Sequence, residues 1–352
     1  MQFGLNFFPS VGPSEMSAEQ YWQEALSLAE LADSLGYTHI RTVEHYFEPY
    51  GGYSPNPLLF LASAAQRTKH MRLISGAVLP VFNHPLKLAG EIAMLDALSR
   101  GRLDVGFARA FLPHEFDRFG RKLDESRARF DEGVRQIRLL LTQENVSDDG
   151  TFHKIKNVTS LPRPTQLPTP PMWIASFATP ESFAAAGKAG MSMMAIPLSG
   201  GKMNDLIGLY RENWRSAGHP GNGRVMLSFS MCCMPNREDA IAAFRAPMNG
   251  YMKALVAAAS GWFGGSSKDY PGYEKMIAAL KDEDFDKQVA NGLCWAGTPA
   301  DVKDMIASYT SKVQFEIASL HIKPHTFDAA LAAQSLRLFA RDVMPQFRDR
   351  GA

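Results

Sequence analysis

Glu44 and His45 stand side by side where a short β-rich run, Thr38 to Val43, gives way to a turn-rich stretch ending at Asn56-Pro57. A carboxylate beside an imidazole can move protons, and a (β/α)8 barrel places its chemistry at the C-terminal ends of its strands. Many Glu-His pairs only cap a helix or bridge two loops, so the pair takes its meaning from what surrounds it.

Three further strand ends carry residues that could serve a ligand. The run Leu73-Ile74-Ser75-Gly76-Ala77-Val78-Leu79-Pro80 has small side chains where most barrel strands have branched ones. Small residues at a barrel mouth let a flat molecule lie against backbone, although a bulge or tight packing asks for the same residues. Gly106-Phe107-Ala108-Arg109-Ala110 ends in an arginine. A guanidinium at the end of a buried strand needs an anionic partner, either an internal glutamate or a phosphate. In Ser176-Phe177-Ala178-Thr179-Pro180-Glu181-Ser182, Thr179 reads as an N-cap and Pro180 as the first helical residue. Free N–H groups make such a terminus an anion site, and capping alone accounts for it equally well. Arg109 and this helix start, on adjacent strands, could clamp one phosphate, away from the common barrel phosphate site after strands seven and eight.

Metal chemistry is disfavoured. Strand one has no histidine pair, the nine histidines are scattered, and Pro324 breaks the helix that would align His321 with His325. No G-x-S-x-G elbow supports a serine hydrolase, and His84 before Pro85 reads as a cap.

The elements that must position these residues alternate along the whole chain. Strands are expected at Phe3 to Phe8, Thr38 to Val43, Met71 to Leu79, Arg102 to Ala108, Met172 to Ser176, Ser192 to Ile196, Arg224 to Met234 and Phe315 to Ile322. Helical runs lie at Ala18 to Leu35, Pro57 to Thr68, Pro85 to Leu98, Asp124 to Leu141, Pro180 to Ala189, Met203 to Ala217 and Phe327 to Met344. Such alternation implies parallel βαβ units, and eight of them imply an α/β fold closed into a (β/α)8 TIM barrel. A hairpin-like excursion, Ser147 to Thr159, precedes a Pro-rich link, Leu161 to Pro171, that crosses between the two halves of the barrel. Ser199-Gly200-Gly201-Lys202 reads as a turn into a helix.

The chain has 352 residues, about one insertion more than the ~250 of a bare barrel. The reading is therefore a single domain, 1–352, whose surplus at about 246–297 forms an insertion and mobile lid between strands seven and eight, with Ser260 to Lys268 as its loop. A net charge of +1 argues against nucleic acid as a partner. The charges from Arg118 to Arg138 read as a solvated helix face. No apolar run is long enough to span a membrane and no signal peptide is evident, so a cytoplasmic protein is expected. Its three cysteines, Cys232, Cys233 and Cys294, are expected as buried thiols.

Taken in order, Glu44-His45-Tyr46-Phe47 with Asn56-Pro57, Ala77-Val78-Leu79-Pro80 with His84-Pro85, Gly101-Arg102-Leu103 through Arg109, Phe116 to Gly120, Ser126-Arg127-Ala128, Gly297-Thr298-Pro299 and Asp342 to Pro345 resemble the bacterial luciferase-like flavin-dependent monooxygenases. The similarity to the luciferase alpha subunit covers nearly the whole chain. It implies a barrel that binds reduced FMN at its C-terminal mouth. The family's catalytic histidine falls on His45 beside Glu44, its non-proline cis peptide on Ser75-Gly76, and its phosphate-binding arginine on Arg109. The implied flavin site comprises Glu44, Ser75, Gly76, Ala108, Arg109, Ile174, Ala175, Ser176, Phe177, Thr179 and Ser182. The chain departs from luciferase at Ala108, where luciferase has a cysteine, and at Ser176 and Phe177, where it has an acidic residue and a serine.

The activity the resemblance implies is a two-component monooxygenation. A separate flavin reductase supplies reduced FMN, O2 forms a C4a-hydroperoxyflavin, and one oxygen atom enters a small apolar organic substrate such as an aldehyde or a natural-product intermediate. Phe8, Phe111, Leu112, Trp262 and Phe263 are expected to wall the substrate pocket. An F420-dependent oxidoreductase of the same fold, or a non-catalytic flavin-binding or partner subunit, are the alternatives. A dimer through Pro57 to Thr68 and Pro85 to Leu98, with like or unlike partners, is also implied.

Overall fold

Pro, Asn and Ser at helix starts and Gly at helix ends set the frame of the computed structural model, which describes residues 1–199 and 201–348. Gly200, within the turn expected after strand six, lies outside the described residues, as does the end of the chain beyond residue 348. The first helix, α1 (Ala18–Ser34), starts where the Ser17 side chain accepts from the Gln20 N–H, and it stops before Gly36 at φ +81°. Helix α2 (Pro57–Arg67) has Asn56 as cap, and α3 (Pro85–Leu98) has the His84 imidazole as cap, each followed by proline. His84 is therefore a capping histidine, as its place before Pro85 suggests.

Eight parallel strands close on themselves: β1 (Gln2–Phe7), β2 (His39–Thr42), β3 (Arg72–Val78), β4 (Leu103–Phe107), β5 (Met172–Ser176), β6 (Ser192–Ala195), β7 (Val225–Cys233) and β8 (Ile317–His321). Leu5 pairs with Ile40, Ile40 with Leu73 and Leu73 with Leu103, and the ring closes where β6 meets β7 at Met193–Val225 and β8 meets β1 at Ile317–Gln2. Helices α4 (Ser126–Thr142), α5 (Pro180–Lys188), α6 (Lys202–Ser216), α7 (Arg237–Ala258), α8 (Pro299–Thr310) and α9 (Ala329–Asp342) complete the outer layer. The result is the (β/α)8 barrel that the alternation implies.

The Pro-rich link is stitched to the first half of the barrel. Arg163 donates to the Leu140 and Leu141 carbonyls at the end of α4, while Gln166 bonds Asp96 and the Leu103 carbonyl. The three cysteines are buried, and burial pushes the Cys232 and Cys233 thiols up to about 12.

The surplus between β7 and β8 is more regular than a long loop. It contains most of α7, a 3-10 turn at Ala259–Trp262, and short helices at Tyr273–Ala279 and Phe285–Ala290. It ends in a strand, Cys294–Gly297, that pairs with the upper half of β7 along the edge that β6 leaves at Ala195. Inside the barrel, Ile74, Trp173, Met194, Met226 and Ile317 fill the space below the mouth.

Candidate active site

The adjacent Glu44 and His45 diverge. Glu44 is buried, and its carboxylate accepts from the Tyr46 hydroxyl at 2.5 Å, the Asn83 amide at 2.8 Å and the Leu79 N–H at 2.9 Å. Burial pushes its carboxyl up to about 7, against the opposing pull of those three hydrogen bonds, and the charge of Glu115 adds to the rise. The residue thus fastens the end of β2 to the end of β3. His45 turns instead to Glu115, whose Oε1 stands 3.0 Å from Nδ1 and also accepts from the Tyr46 N–H at 2.9 Å. Phe8, Tyr50 and Phe111 surround the imidazole with ring centroids 5.3 to 6.0 Å away, and among the described residues its Nε2 has no hydrogen bond.

Glu115 was not visible in the sequence reading. It is fully buried, its second oxygen has no partner among the described residues, and it reaches His45 from a short helix, Pro113–Arg118, seventy positions along the chain.

At β3 the pairing with β4 slips between Ser75 and Val78. The Ser75 hydroxyl accepts from the Gly106 N–H at 2.9 Å, so this side chain is spent on the sheet. The non-proline cis bond is Gly76–Ala77, one residue beyond the expected Ser75-Gly76. Both bonds lie in the same run of small residues, which carries no mark that would separate them. Gly76 has a specific reason to be glycine: a Cβ there would stand 2.2 Å from Cδ of Arg41.

Arg109 is buried at the rim. It donates to the Asp269 carbonyl at 2.9 Å, its guanidinium lies 4.5 Å over the Tyr270 ring, and no carboxylate pairs with it among the described residues. Thr179 caps α5 without a side-chain cap hydrogen bond, and it and Ser182 are buried. Tyr273 links the two, its phenol meeting the Thr179 side chain within the field of Arg109. Arg109 and the start of α5 thus share one neighbour, Tyr273, which comes from the insertion. Asp269 anchors the same segment by accepting from the Arg127 N–H at 2.9 Å.

Phe8, Leu112 and Trp262 share one apolar cluster with Phe111 packed against it, and the Trp262 indole donates to the Phe111 carbonyl at 2.8 Å. Phe263 stands apart from that cluster, 38% exposed beneath the Lys281 ammonium. Ala175 packs against the barrel's inner plug, whereas the side chain of Ile174 belongs to the layer between barrel and helices. Ser176, Phe177 and Ala108 are half-buried at the mouth. Among the described residues no cluster of His, Cys, Asp or Glu could hold a metal ion, and no helix is long and apolar enough to cross a membrane.

Known proteins resemble this chain throughout. A family model described as luciferase-like monooxygenase matches residues 1–313. The oxygenase component of the flavin-dependent trigonelline monooxygenase of Acinetobacter baylyi is 32% identical over 289 residues, spanning 81% of this chain and 77% of that one. The crystal structure of monooxygenase RslO1 from Streptomyces bottropensis superposes with a TM-score of 0.89 at 42% identity, covering 99% of this chain and 100% of that one. The oxygenating constituent of 3,6-diketocamphane monooxygenase from Pseudomonas putida, solved with FMN, shares the fold with a TM-score of 0.83 at 23% identity, over 99% of each chain.

Proposed function

The chain belongs to the luciferase-like monooxygenase family and is a flavin-dependent monooxygenase; from that premise we propose that its flavin is reduced FMN, delivered by a separate reductase, and that its substrate is a small apolar organic molecule. The observation that carries the choice of FMN is Arg109, a buried cation beside the start of α5 that no carboxylate ion-pairs among the described residues, Asp131 feeling its charge only from beyond ion-pair distance. Such a cation is costly unless an anion reaches it, and a phosphate beside a helix N-terminus is the anion this rim fits. Small residues at Ala77 and Ala108 leave a flat ring system room to lie between that rim and His45.

When bound, the reduced flavin would supply two electrons to O2, one oxygen atom entering the substrate and the other leaving as water. The protein's share is positioning and proton transfer. An ionised Glu115 can only accept, so it holds the proton on Nδ1 of His45 and leaves Nε2 to take a proton from a reacting group or return one. Glu44 is a positioning residue, fixing the Tyr46 hydroxyl and the Leu79 backbone to the residue next to His45. Phe8, Phe111, Leu112 and Trp262 form the apolar wall for substrate, and the segment from Gly261 to Lys281 serves as a lid that keeps water out. Leu59 on α2 and Met94 and Leu98 on α3, 68%, 56% and 45% exposed, support a dimer through those two helices.

Mixing the protein anaerobically with reduced FMN, then adding O2 and a panel of aldehydes and aromatic compounds, tests the reading. Oxygen uptake coupled to product is expected with FMN. Binding and turnover with F420 but not FMN would overturn it, as would FMN binding without oxygen uptake across the panel.

A further inference from the structure

The Arg41 guanidinium crosses the inside of the barrel. The side chain projects from β2, runs its methylenes along the bare face of Gly76, and ends against β7, where Nη2 donates to the Ser228 hydroxyl at 2.7 Å. Nε donates to the Asn6 side chain at 3.2 Å, and Nη1 meets only the Met194 sulfur at 3.6 Å. Its remaining N–H groups meet no oxygen among the described residues.

Among the described residues no carboxylate pairs with this charge. Below it lie Ile74, Trp173, Met226 and Ile317. The polar groups that feel it are His39, His321, Tyr50 and Tyr251. Burial, reinforced by Arg41, pushes both histidines down to about 3, and burial raises both phenols, so all four are neutral near pH 7. The two buried glutamates of the mouth are engaged elsewhere, Glu44 by Tyr46, Asn83 and Leu79, and Glu115 by His45 and Tyr46. Arg41 itself is lowered only to about 10, which leaves it charged.

A buried, unpaired guanidinium beneath a binding mouth is stabilised most by a ligand that brings negative charge to it. Oxidised isoalloxazine is neutral, whereas the reduced ring at neutral pH is an anion with its charge on the N1–C2 carbonyl edge. A fixed cation near that edge tunes a flavin's electronics. Gly76, against which Arg41 lies, is in the small-residue run that offers the ring its backbone surface.

We infer that Arg41 is the group by which this site selects the anionic reduced flavin over the neutral oxidised one, holding the incoming cofactor and releasing it once spent. The inference rests on the FMN reading above. It is distinct from the Arg109 role, because a phosphate contact is the same in both redox states.

The test is anaerobic titration of the wild-type protein, Arg41→Met and Arg41→Lys with oxidised FMN and with dithionite-reduced FMN, followed by absorbance and fluorescence. Wild type should bind the reduced form more tightly. Arg41→Met should lose at least about tenfold of that preference, equivalent to a fall of about 30 mV in the two-electron potential of the bound flavin. Arg41→Lys should keep most of it. Circular dichroism and thermal melting check the fold. If Arg41→Met does not fold, Arg41→Gln, which retains donors toward Asn6 or Ser228, reads the same ratio. An unchanged ratio in the neutral variant, or equal losses for both redox forms, overturns the inference and leaves the FMN reading standing. Failure of wild type to bind either form overturns both.

Discussion

The throat and the rim of this barrel each hold a buried arginine that no carboxylate ion-pairs among the described residues, yet they hold it differently. Arg41, in the throat, is gripped by side chains of three barrel strands, Asn6 from β1, Met194 from β6 and Ser228 from β7. Arg109, at the rim, is gripped by the Asp269 carbonyl and the Tyr270 ring, both from the insertion. The throat is therefore as rigid as the sheet, while the rim is only as firm as the segment that covers it. Groups that must be set to a fraction of an ångström for chemistry belong on strands, and groups that must admit and release a large cofactor belong where cover can move.

The largest effect should come from the throat. His45→Ala should still bind reduced FMN and lose turnover by roughly 10²–10⁴-fold, the range for a general acid or base. Near-normal turnover in a folded variant would end the assignment and remove the throat's claim to the chemistry.

Glu44 sharpens the same side of the contrast through stability. Its folded-state value, about 7, lies above the ordinary 4.5, so the folded protein holds this proton more tightly than the unfolded chain. The favourable contribution is complete below about pH 4.5 and is lost as the pH rises through 7, a change of about 3 kcal/mol at 1.36 kcal/mol per unit. Denaturant unfolding of wild type and Glu44→Gln at pH 5 and pH 8 should show the wild type losing ground to the variant at the higher pH. Parallel curves would mean that the three hydrogen bonds hold Glu44 ionised throughout.

At the rim, Arg109→Ala should weaken FMN far more than riboflavin, which has no phosphate. Truncating one partner of a buried charge pair costs roughly 2–5 kcal/mol, about 30-fold or more in affinity. Equal losses for the two flavins would make Arg109 a structural anchor of the insertion and erase the contrast with Arg41. The smallest effect is kinetic: FMN should slow trypsin cleavage at the exposed Lys268 and Lys275 by a few-fold. Cleavage equally fast with and without FMN would show that the rim's cover does not respond to the ligand.

Much of this was legible because it was local. Asn56-Pro57, His84-Pro85 and Thr179-Pro180 each announce a helix, and Pro85–Leu98 and Met172–Ser176 fall on the expected bounds. The pair proposed to move protons, His45 with Glu115, was only half legible. Glu115 lies seventy positions from His45, on a helix of six residues whose charge pattern looks like surface. Arg41 carries a signal in the sequence: it alternates with Ile40 and Thr42 in a short strand, which turns a charge toward the barrel axis. The insertion was read as loop from its Gly and Ser, whereas its aromatic residues Trp262, Tyr270 and Tyr273 pack on one another with ring centroids 5.0 to 5.5 Å apart. The true cis bond differed from the expected one by a single peptide within Ser-Gly-Ala, where adjacent small residues give no basis for choosing.

The strand Cys294–Gly297 has a consequence for how such enzymes diversify. By completing the edge of β7 where β6 ends, it ties the far end of the insertion into the sheet, as α7 ties the near end. Everything between Ala259 and Leu293 hangs between two fixed posts, so residues there can be exchanged, shortened or extended without disturbing the register of the eight strands below. The barrel is the inherited instrument, and that span is the interchangeable part through which a lineage retunes what enters it.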